Sequence, residues 1–406
     1  MAPVICPFGV FFRVYTELLF GRIVRQLISM NDNTLLDTTA TAQSASPLNL
    51  PALVDWLAPR VPGVDEQLRA ERMDGGQSNP SWLLHGAGQS WVLRAKPAPA
   101  ADLLPSAHAI EREYRILQAL ADTDVPVPPV RALCEDESVI GVAFYVMDFV
   151  QGRIFRDATL PEVPVAERAA YFMEANRVLA ALHRVDWRQL GLQDFGRHEV
   201  YYTRLIRRWT QQYKATRTAP VVAMEQLIDW LPSHIPAGGD GAEHTCITHG
   251  DYRMENLMFH PTRPEVVAVL DWELCTLGHP LSDLSYSALA WHMPAGILRG
   301  YGDQNLAALG LPSEQDYVAC YAERMGLDTQ AVLKDWPFYL AFNLFRLSAI
   351  LQGIGQRERE GTASNTTAKE IAAMAEPVAQ WGWAIAQGKH SVSTRQGADE
   401  HHKEWT

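Results

Sequence analysis

The stretch THGDYRMENLMFHPTRPEVVAVLDWE, residues 248–273, decides how the rest of the chain is read. A short apolar run leads into His249, and a polar loop carrying Asp251 follows. An apolar run then starts at Leu257, turns through the Pro-rich HPTRPE, and returns as EVVAVL to end at Asp271. Two short apolar runs around a Pro-rich turn predict a hairpin. The hairpin brings Asn256, just before its first strand, and Asp271, just after its second, to one end. Asp251 stands in the adjoining loop, so three oxygen-bearing side chains share one rim.

That set suits phosphoryl transfer to a hydroxyl. The reaction asks the protein for positioned phosphates, a neutralising metal ion and an acid near the incoming hydroxyl. Mg²⁺ takes oxygen ligands, usually one or two carboxylates completed by phosphates and water. Asn256 and Asp271 suit the metal, and Asp251 suits the hydroxyl.

Working outward, the upstream sequence reads as strand, Gly-rich turn, strand, short Gly turn and strand over LRAERMDGGQSNPSWLLHGAGQSWVLRAKP, after the helical pattern NLPALVDWLAPRVPG, which ends at Pro and Gly. SAHAIEREYRILQAL is a helix, with Ile110, Tyr114, Leu117 and Leu120 on one face. GVAFYVMDFVQG is an apolar strand that runs out at Gly152. Beyond it helical patterns dominate: 165–185, 200–214, 220–231, LSDLSYSALAWHM, 313–325, 329–352 and 366–387. The predicted fold class is therefore α+β, a small antiparallel sheet lobe followed by a larger, mainly helical lobe. The predicted division is 1–47 as a disordered or superfluous extension, 48–150 as a nucleotide-binding lobe, 151–388 as a helical lobe with the catalytic loop and acceptor site, and 389–406 as a flexible tail.

The chain has 406 residues, 47% hydrophobic and 20% charged, enough for more than one core. A formal net charge of −12 disfavours nucleic acid, whose phosphates seek basic patches. Five scattered cysteines with no CxxC pair give neither a zinc site nor a disulfide framework, and reduced thiols in a cytoplasmic protein are the simplest account. The segment VICPFGVFFRVYTELLFGRIVRQLI is broken by Arg13, Glu17, Arg22 and Arg25, which argues against stable membrane insertion and against a secretory signal. An amphipathic surface helix is one reading of it. A start at Met30, preceded by an extension, is the other.

HGDYRMEN resembles the catalytic loop of the protein-kinase-like fold, and more narrowly that of the aminoglycoside phosphotransferase (APH) family of small-molecule kinases. LDWE stands where protein kinases carry Asp-Phe-Gly, and GHPLSDLSY resembles the family's following segment, in which Asp283 braces the loop. The resemblance covers roughly residues 51–386. It implies a two-lobed fold, ATP and Mg²⁺ as cofactors, Asp251 and His249 as the catalytic pair, and Asn256 and Asp271 as metal ligands. A packed, hydrogen-bonded support for the loop is the preferred reading of His249. Glu273 stands evenly between the metal and an arginine partner.

For the nucleotide, the resemblance implies Gly75, Gly76, Ser78 and Asn79 in the phosphate-covering turn and a cation on the third strand. Arg94 is the better match, with Lys96 as rival. Glu113 is its partner on the following helix, with Glu111 as the substitute, and backbone groups around Asp148 and Val150 meet adenine. The implied partner is a small hydroxylated molecule. The stretches GQSNPSWLL, WVLRAKPAP and LLPSAHAIEREYRILQAL are similar to the kinase domain associated with acyl-CoA dehydrogenases, which implies a 4-hydroxyacyl-CoA acceptor. An aminoglycoside kinase and an inert nucleotide-binding module are the alternatives. The basic helix TRLIRRWTQQYKATR favours an anionic acceptor over a polycation, if it is not simply a solvated face. Only WELCTLGHPLSD separates Asp271 from the next helix, too little for the activation segment of a protein kinase.

Overall fold

The computed structural model describes residues 48–73, 79–97, 110–197, 199–295, 297–360 and 368–389. Gly75, Gly76 and Ser78, the leading residues 1–47 and the end from residue 390 lie outside the described residues.

Helix α1 (Leu50–Leu57) begins at Asn49, whose side chain accepts the Ala52 N–H at 3.3 Å, and Pro51 occupies the first turn, where a missing N–H removes no helical bond. Strands β1 (Arg69–Arg72), β2 (Ser81–Gly86) and β3 (Gln89–Ala95), helix α2 (Ile110–Leu120), and strands β4 (Val130–Cys134) and β5 (Phe144–Asp148) follow. The strands form one antiparallel sheet in the order β1-β2-β3-β5-β4. The β2–β3 turn closes through Gly88 at φ +78°, a conformation open to glycine at little cost.

Alternation along the strands divides them between two cores. Trp91, Leu93 and Ala95 of β3, with Phe144 and Val146 of β5, pack against Leu53 and Leu57 of α1. Tyr145 faces the other way, into the core that contains Ile116 and Leu117 of α2. Arg94 lies opposite Tyr145 in the β3–β5 register, so the sheet turns its one half-buried cation toward α2.

Past Asp148 the chain enters the helical lobe. Strand β6 (Arg153–Ile154) pairs with β8 (Leu257–Phe259), and β8 pairs with β9 (Val266–Val269), so the expected hairpin forms with an unforeseen third strand. The apolar run before His249 is β7 (Cys246–Thr248), and its partner is β10 (Thr276–Gly278) rather than the hairpin. The helices are α3 (Val165–Arg184), α4 (Tyr201–Thr216), α5 (Val222–Trp230), α6 (Pro280–Ser287), α7 (Leu306–Leu309), α8 (Glu314–Met325), α9 (Thr329–Arg359), α10 (Ala368–Ala373) and α11 (Ala375–Ala386). Helix α9 continues past the expected end at 352, and the last expected helix is split in two. By length and composition α9 is apolar enough to cross a membrane, but 72% of its apolar window is buried inside the protein as the central helix of this lobe. The larger core runs without a break from α2 to α11.

Candidate active site

The hairpin register sets Leu257 against Val269, and the Leu270 N–H donates to the Asn256 carbonyl at 2.8 Å. Asn256 therefore sits beside the residue before Asp271, as the sequence predicts. Asp271 itself adopts φ 65°, ψ 61°, a left-handed conformation that aspartate tolerates better than most residues. That turn breaks the line of β9 and starts a 3₁₀ helix, Trp272–Leu274.

The carboxylate of Asp251 is held from three sides. Its Oδ2 accepts Asn256 Nδ2 at 2.9 Å and lies 3.1 Å from Arg253 Nε. Its Oδ1 accepts the Tyr286 hydroxyl at 2.6 Å. Asn256 Nδ2 also reaches the Asp251 carbonyl at 2.8 Å, so the amide nitrogen is spent on the loop and Oδ1 is left as an oxygen ligand. Among the described residues no group of three or more His, Cys, Asp and Glu side chains is placed to hold a metal. A carboxylate and an amide oxygen fit Mg²⁺, which draws its other ligands from phosphates and water.

His249 is fully buried and both its nitrogens are engaged. Nε2 donates to the Leu270 carbonyl at 2.8 Å, and Nδ1 accepts the Asp251 N–H at 3.2 Å. This tautomer leaves no proton to exchange with a substrate. The catalytic pairing of His249 with Asp251 is therefore corrected: His249 positions the loop against β9. Asp283 on α6 does the same from below, accepting the His249 and Gly250 N–H groups at 2.5 and 2.9 Å. Burial raises the Asp283 pKa, but the bond and charge of His183, together with His249 and the Gly250 amide, bring it below the usual carboxylate value. Gly250 has φ +84°, and a Cβ there would fall 2.8 Å from the Leu274 carbonyl, so only glycine fits.

On the sheet side, Arg94 is the cation of the site. Its Nε lies 2.8 Å from Glu113 Oε2, a charge contact rather than an aligned hydrogen bond, and its Nη2 donates to Asp271 Oδ1 at 3.1 Å. Glu273 lies 3.9 Å from the same Nη2. Lys96 turns away and pairs with Glu111. Burial raises the Glu113 pKa, with Arg94 and the Tyr145 hydroxyl opposing it. Asn79 is fully buried and donates to Glu113 at 2.6 Å, so its amide braces that carboxylate and does not project toward a phosphate. Asp148 is likewise committed elsewhere: its N–H donates to the Pro129 carbonyl at 2.8 Å and its carboxylate binds Arg131 at 2.5 and 2.6 Å. The Phe149 N–H donates to Ser90 at 3.1 Å. Val150 is the next residue along this edge.

A pocket of about 810 Å³, its open side included, adjoins the loop. Arg253 and Tyr286, both touching Asp251, form part of its wall. The remainder is mainly apolar, with Phe172, Leu289, Trp291 and Tyr301 prominent. Its one carboxylate, Glu255, is paired with Arg299 and has its pKa raised by burial, against the pull of Arg253.

The sequence reading did not single out Arg253, Tyr286 or Arg346, whose Nη2 donates to the Gly250 carbonyl at 2.8 Å. Arg253 lies inside the quoted motif, two residues past Asp251, and was legible there. Tyr286 follows Asp283 by three residues and shares its helix face. Arg346 has no local signal.

A family model described as Phosphotransferase enzyme family (APH) matches residues 69–321. Acyl-CoA dehydrogenase family member 10 of Mus musculus is 44% identical over 317 residues, which cover 78% of this chain and 29% of that protein. The chain thus spans less than a third of that relative's length. A crystal structure from Ralstonia eutropha JMP134, provisionally named an aminoglycoside phosphotransferase, is 47% identical with a TM-score of 0.76, covering 84% of this chain and 99% of its own. A thermostable mutant of aminoglycoside phosphotransferase APH(4)-Ia, in a ternary complex with AMP-PNP and hygromycin B, is 15% identical with a TM-score of 0.54. It covers 83% of this chain and 98% of its own, and shares the fold. The two-lobed, protein-kinase-like α+β architecture expected from the sequence is the one these structures share.

Proposed function

We propose, from the premise that this chain belongs to the APH phosphotransferase family of small-molecule kinases, that it transfers the γ-phosphoryl group of ATP to the hydroxyl of a 4-hydroxyacyl-CoA. The observation that carries the reading is the meeting of Asp251, Asn256 and Asp271 at one rim, with Arg94 reaching Asp271 from the sheet. In this scheme Asp251 orients the acceptor hydroxyl and takes its proton, and ADP leaves with the electrons of the broken P–O bond. Asn256 and Asp271 would hold Mg²⁺, which when bound would neutralise charge on the phosphates. Arg94 exchanges its carboxylates for a bidentate phosphate contact. Arg253 stands between Asp251 and the pocket and meets the charge of the transferring group. Adenine lies along the edge at Val150. The nucleotide-binding lobe is 48–150, and the acceptor lobe 151–388.

Two observations favour an acyl chain over an aminoglycoside. The pocket beside the loop is largely apolar, as an aliphatic arm requires. A polycation would meet Arg253 and Arg299 there, with Glu255 already paired. The curated relative's name places it among acyl-CoA dehydrogenase proteins, which is consistent with an acyl-CoA partner. The test is an ADP-release screen with Mg-ATP against 4-hydroxyvaleryl-CoA, kanamycin and choline, with the product identified by mass spectrometry. Phosphorylation of an amino alcohol or aminoglycoside, with the thioester untouched, would sink the assignment.

A further inference from the structure

Away from the rim, Gly196, Arg197, Glu199, Val200 and the first turns of α4 line an open groove of about 1010 Å³. Its walls carry Arg197, Arg204, Arg207 and one carboxylate, Glu199. No ion pair is recorded for these arginines among the described residues. Arg204 donates only to a neutral acceptor, the Arg197 carbonyl, at 2.7 Å. Asp240, the nearby acid, is spent on the start of α4. It accepts the Tyr202 and Thr203 N–H groups at 2.6 and 3.2 Å, and the Thr203 hydroxyl at 2.5 Å. Burial, then the charges of Arg197 and Arg208, lower the Arg204 pKa against the opposing pull of Tyr201 and Asp240. Arginines on a solvated helix face diverge. These converge from a loop and a helix on one concavity, a repulsive arrangement that an anion relieves.

The groove is tied to the catalytic loop. Gly196 lies so close to β10 that a Cβ would fall 2.4 Å from Thr276 Oγ1 and 2.7 Å from the Leu277 N. Thr276 pairs with Thr248, three residues before Asp251. The groove floor therefore abuts the strand pair that leads into the catalytic loop. Farther along α4, Trp209 lies under Arg346, whose guanidinium holds Gly250.

We infer that this groove binds a phosphate-bearing handle of the acceptor, a phosphomonoester or diphosphate well removed from the hydroxyl that reacts. Arginine forks grip such groups bidentately and at fixed distance, which places the far end of the molecule at the loop. The inference rests on the kinase reading of Asp251, but its first test does not need turnover. Adenosine 3′,5′-bisphosphate is titrated into the full chain by calorimetry with AMP-PNP and Mg²⁺ already saturating. The comparison is with Arg197→Gln/Arg207→Gln, both exposed positions outside the catalytic machinery.

Salt-sensitive binding to the wild type, weakened about tenfold or more in the variant, is the expected result. No binding to the wild type, the result expected if the probe only competes for the nucleotide site, or equal binding to both overturns the inference. In kinetics, the variant raises KM about tenfold for a hydroxyacyl-CoA, leaves kcat within about twofold, and leaves the KM of the matching hydroxyacyl-pantetheine unchanged. An equal change in KM for both acceptors also overturns it. Failure of both thioesters as substrates, with the titration still separating wild type from variant, removes the acceptor proposed above and leaves the groove.

Discussion

The loop at Asp251 and the pocket beside it adjoin through Arg253 and Tyr286, which touch both the carboxylate and the pocket, and are built by opposite rules. In the loop, polar atoms find partners at 2.5–3.2 Å, and most of those partners lie in residues 248–286. The pocket draws its wall from residues 158 to 347, mostly apolar and held by ring packing among Phe172, Trp291, Tyr301 and Tyr317 rather than by a polar network. The first arrangement fixes one geometry for one reaction. The second sets volume and polarity, which can change without disturbing that reaction. Chemistry and selectivity are thus separately encoded here, and variants can pull them apart.

The largest separation comes from Asp251→Asn. It keeps the shape of the loop but removes the proton acceptor, so kcat falls roughly 10²–10⁴-fold while Mg-ATP binding is retained. A variant with near-normal kcat in steady-state assays would refute the role given to Asp251.

Acid should weaken the loop's foundation next. His279 starts α6, accepting the Leu281 N–H at 3.3 Å, and its ring stacks on Tyr339 at 5.6 Å. Burial, with the charges of His244 and His183, holds its pKa down to about 3 from the ordinary histidine value of 6.5. The native state therefore prefers the neutral ring. That stabilisation is complete above about pH 6.5 and is lost as the pH falls from there toward about 3. At pH 5 the loss is about 2 kcal/mol. Urea unfolding at pH 7 and pH 5 measures it, and His279→Gln should show a flatter pH dependence than the wild type. Equal slopes would remove His279 as the cause.

On the pocket side, Ala290→Phe fills space within the wall. The KM of an aliphatic acceptor should rise about tenfold, with the KM of ATP and the melting temperature nearly unchanged. An equal rise in both KM values would show that pocket and loop are not separable.

The smallest effect is expected at one of the residues that touch both, Tyr286. Tyr286→Phe deletes one hydrogen bond to Asp251, and kcat should drop about threefold with little change in KM for ATP. A rise in acceptor KM alone would assign Tyr286 to the pocket instead.

The same division explains what could be read from the sequence. Asp251, Asn256 and Asp271 were legible because a hairpin's register follows from local spacing and turn residues. Arg94 was favoured over Lys96 on strand position, and the structure turns Arg94 to Glu113 and Lys96 to Glu111. Asn79 was misread as a phosphate donor because burial depends on tertiary packing: a polar residue beside a Gly-rich turn looks exposed in a linear reading. The ion pair of the Asp148 carboxylate with Arg131 was not legible either, because the two meet only across neighbouring strands. The pocket was not legible at all, since Phe172 of α3, Trp291 of the 3₁₀ turn that follows α6, and Leu347 of α9 meet only when those elements pack.

Around Arg94, three carboxylates from Glu113, Asp271 and Glu273 gather on a single guanidinium. Before any visitor arrives, that corner carries an excess of negative charge. A bare triphosphate would be repelled from it, whereas one escorted by its own divalent ion would be welcomed by the oxygens that Arg94 gives up. The entrance thus discriminates by escort, and the ratio of divalent ion to nucleotide in an assay becomes a variable worth controlling.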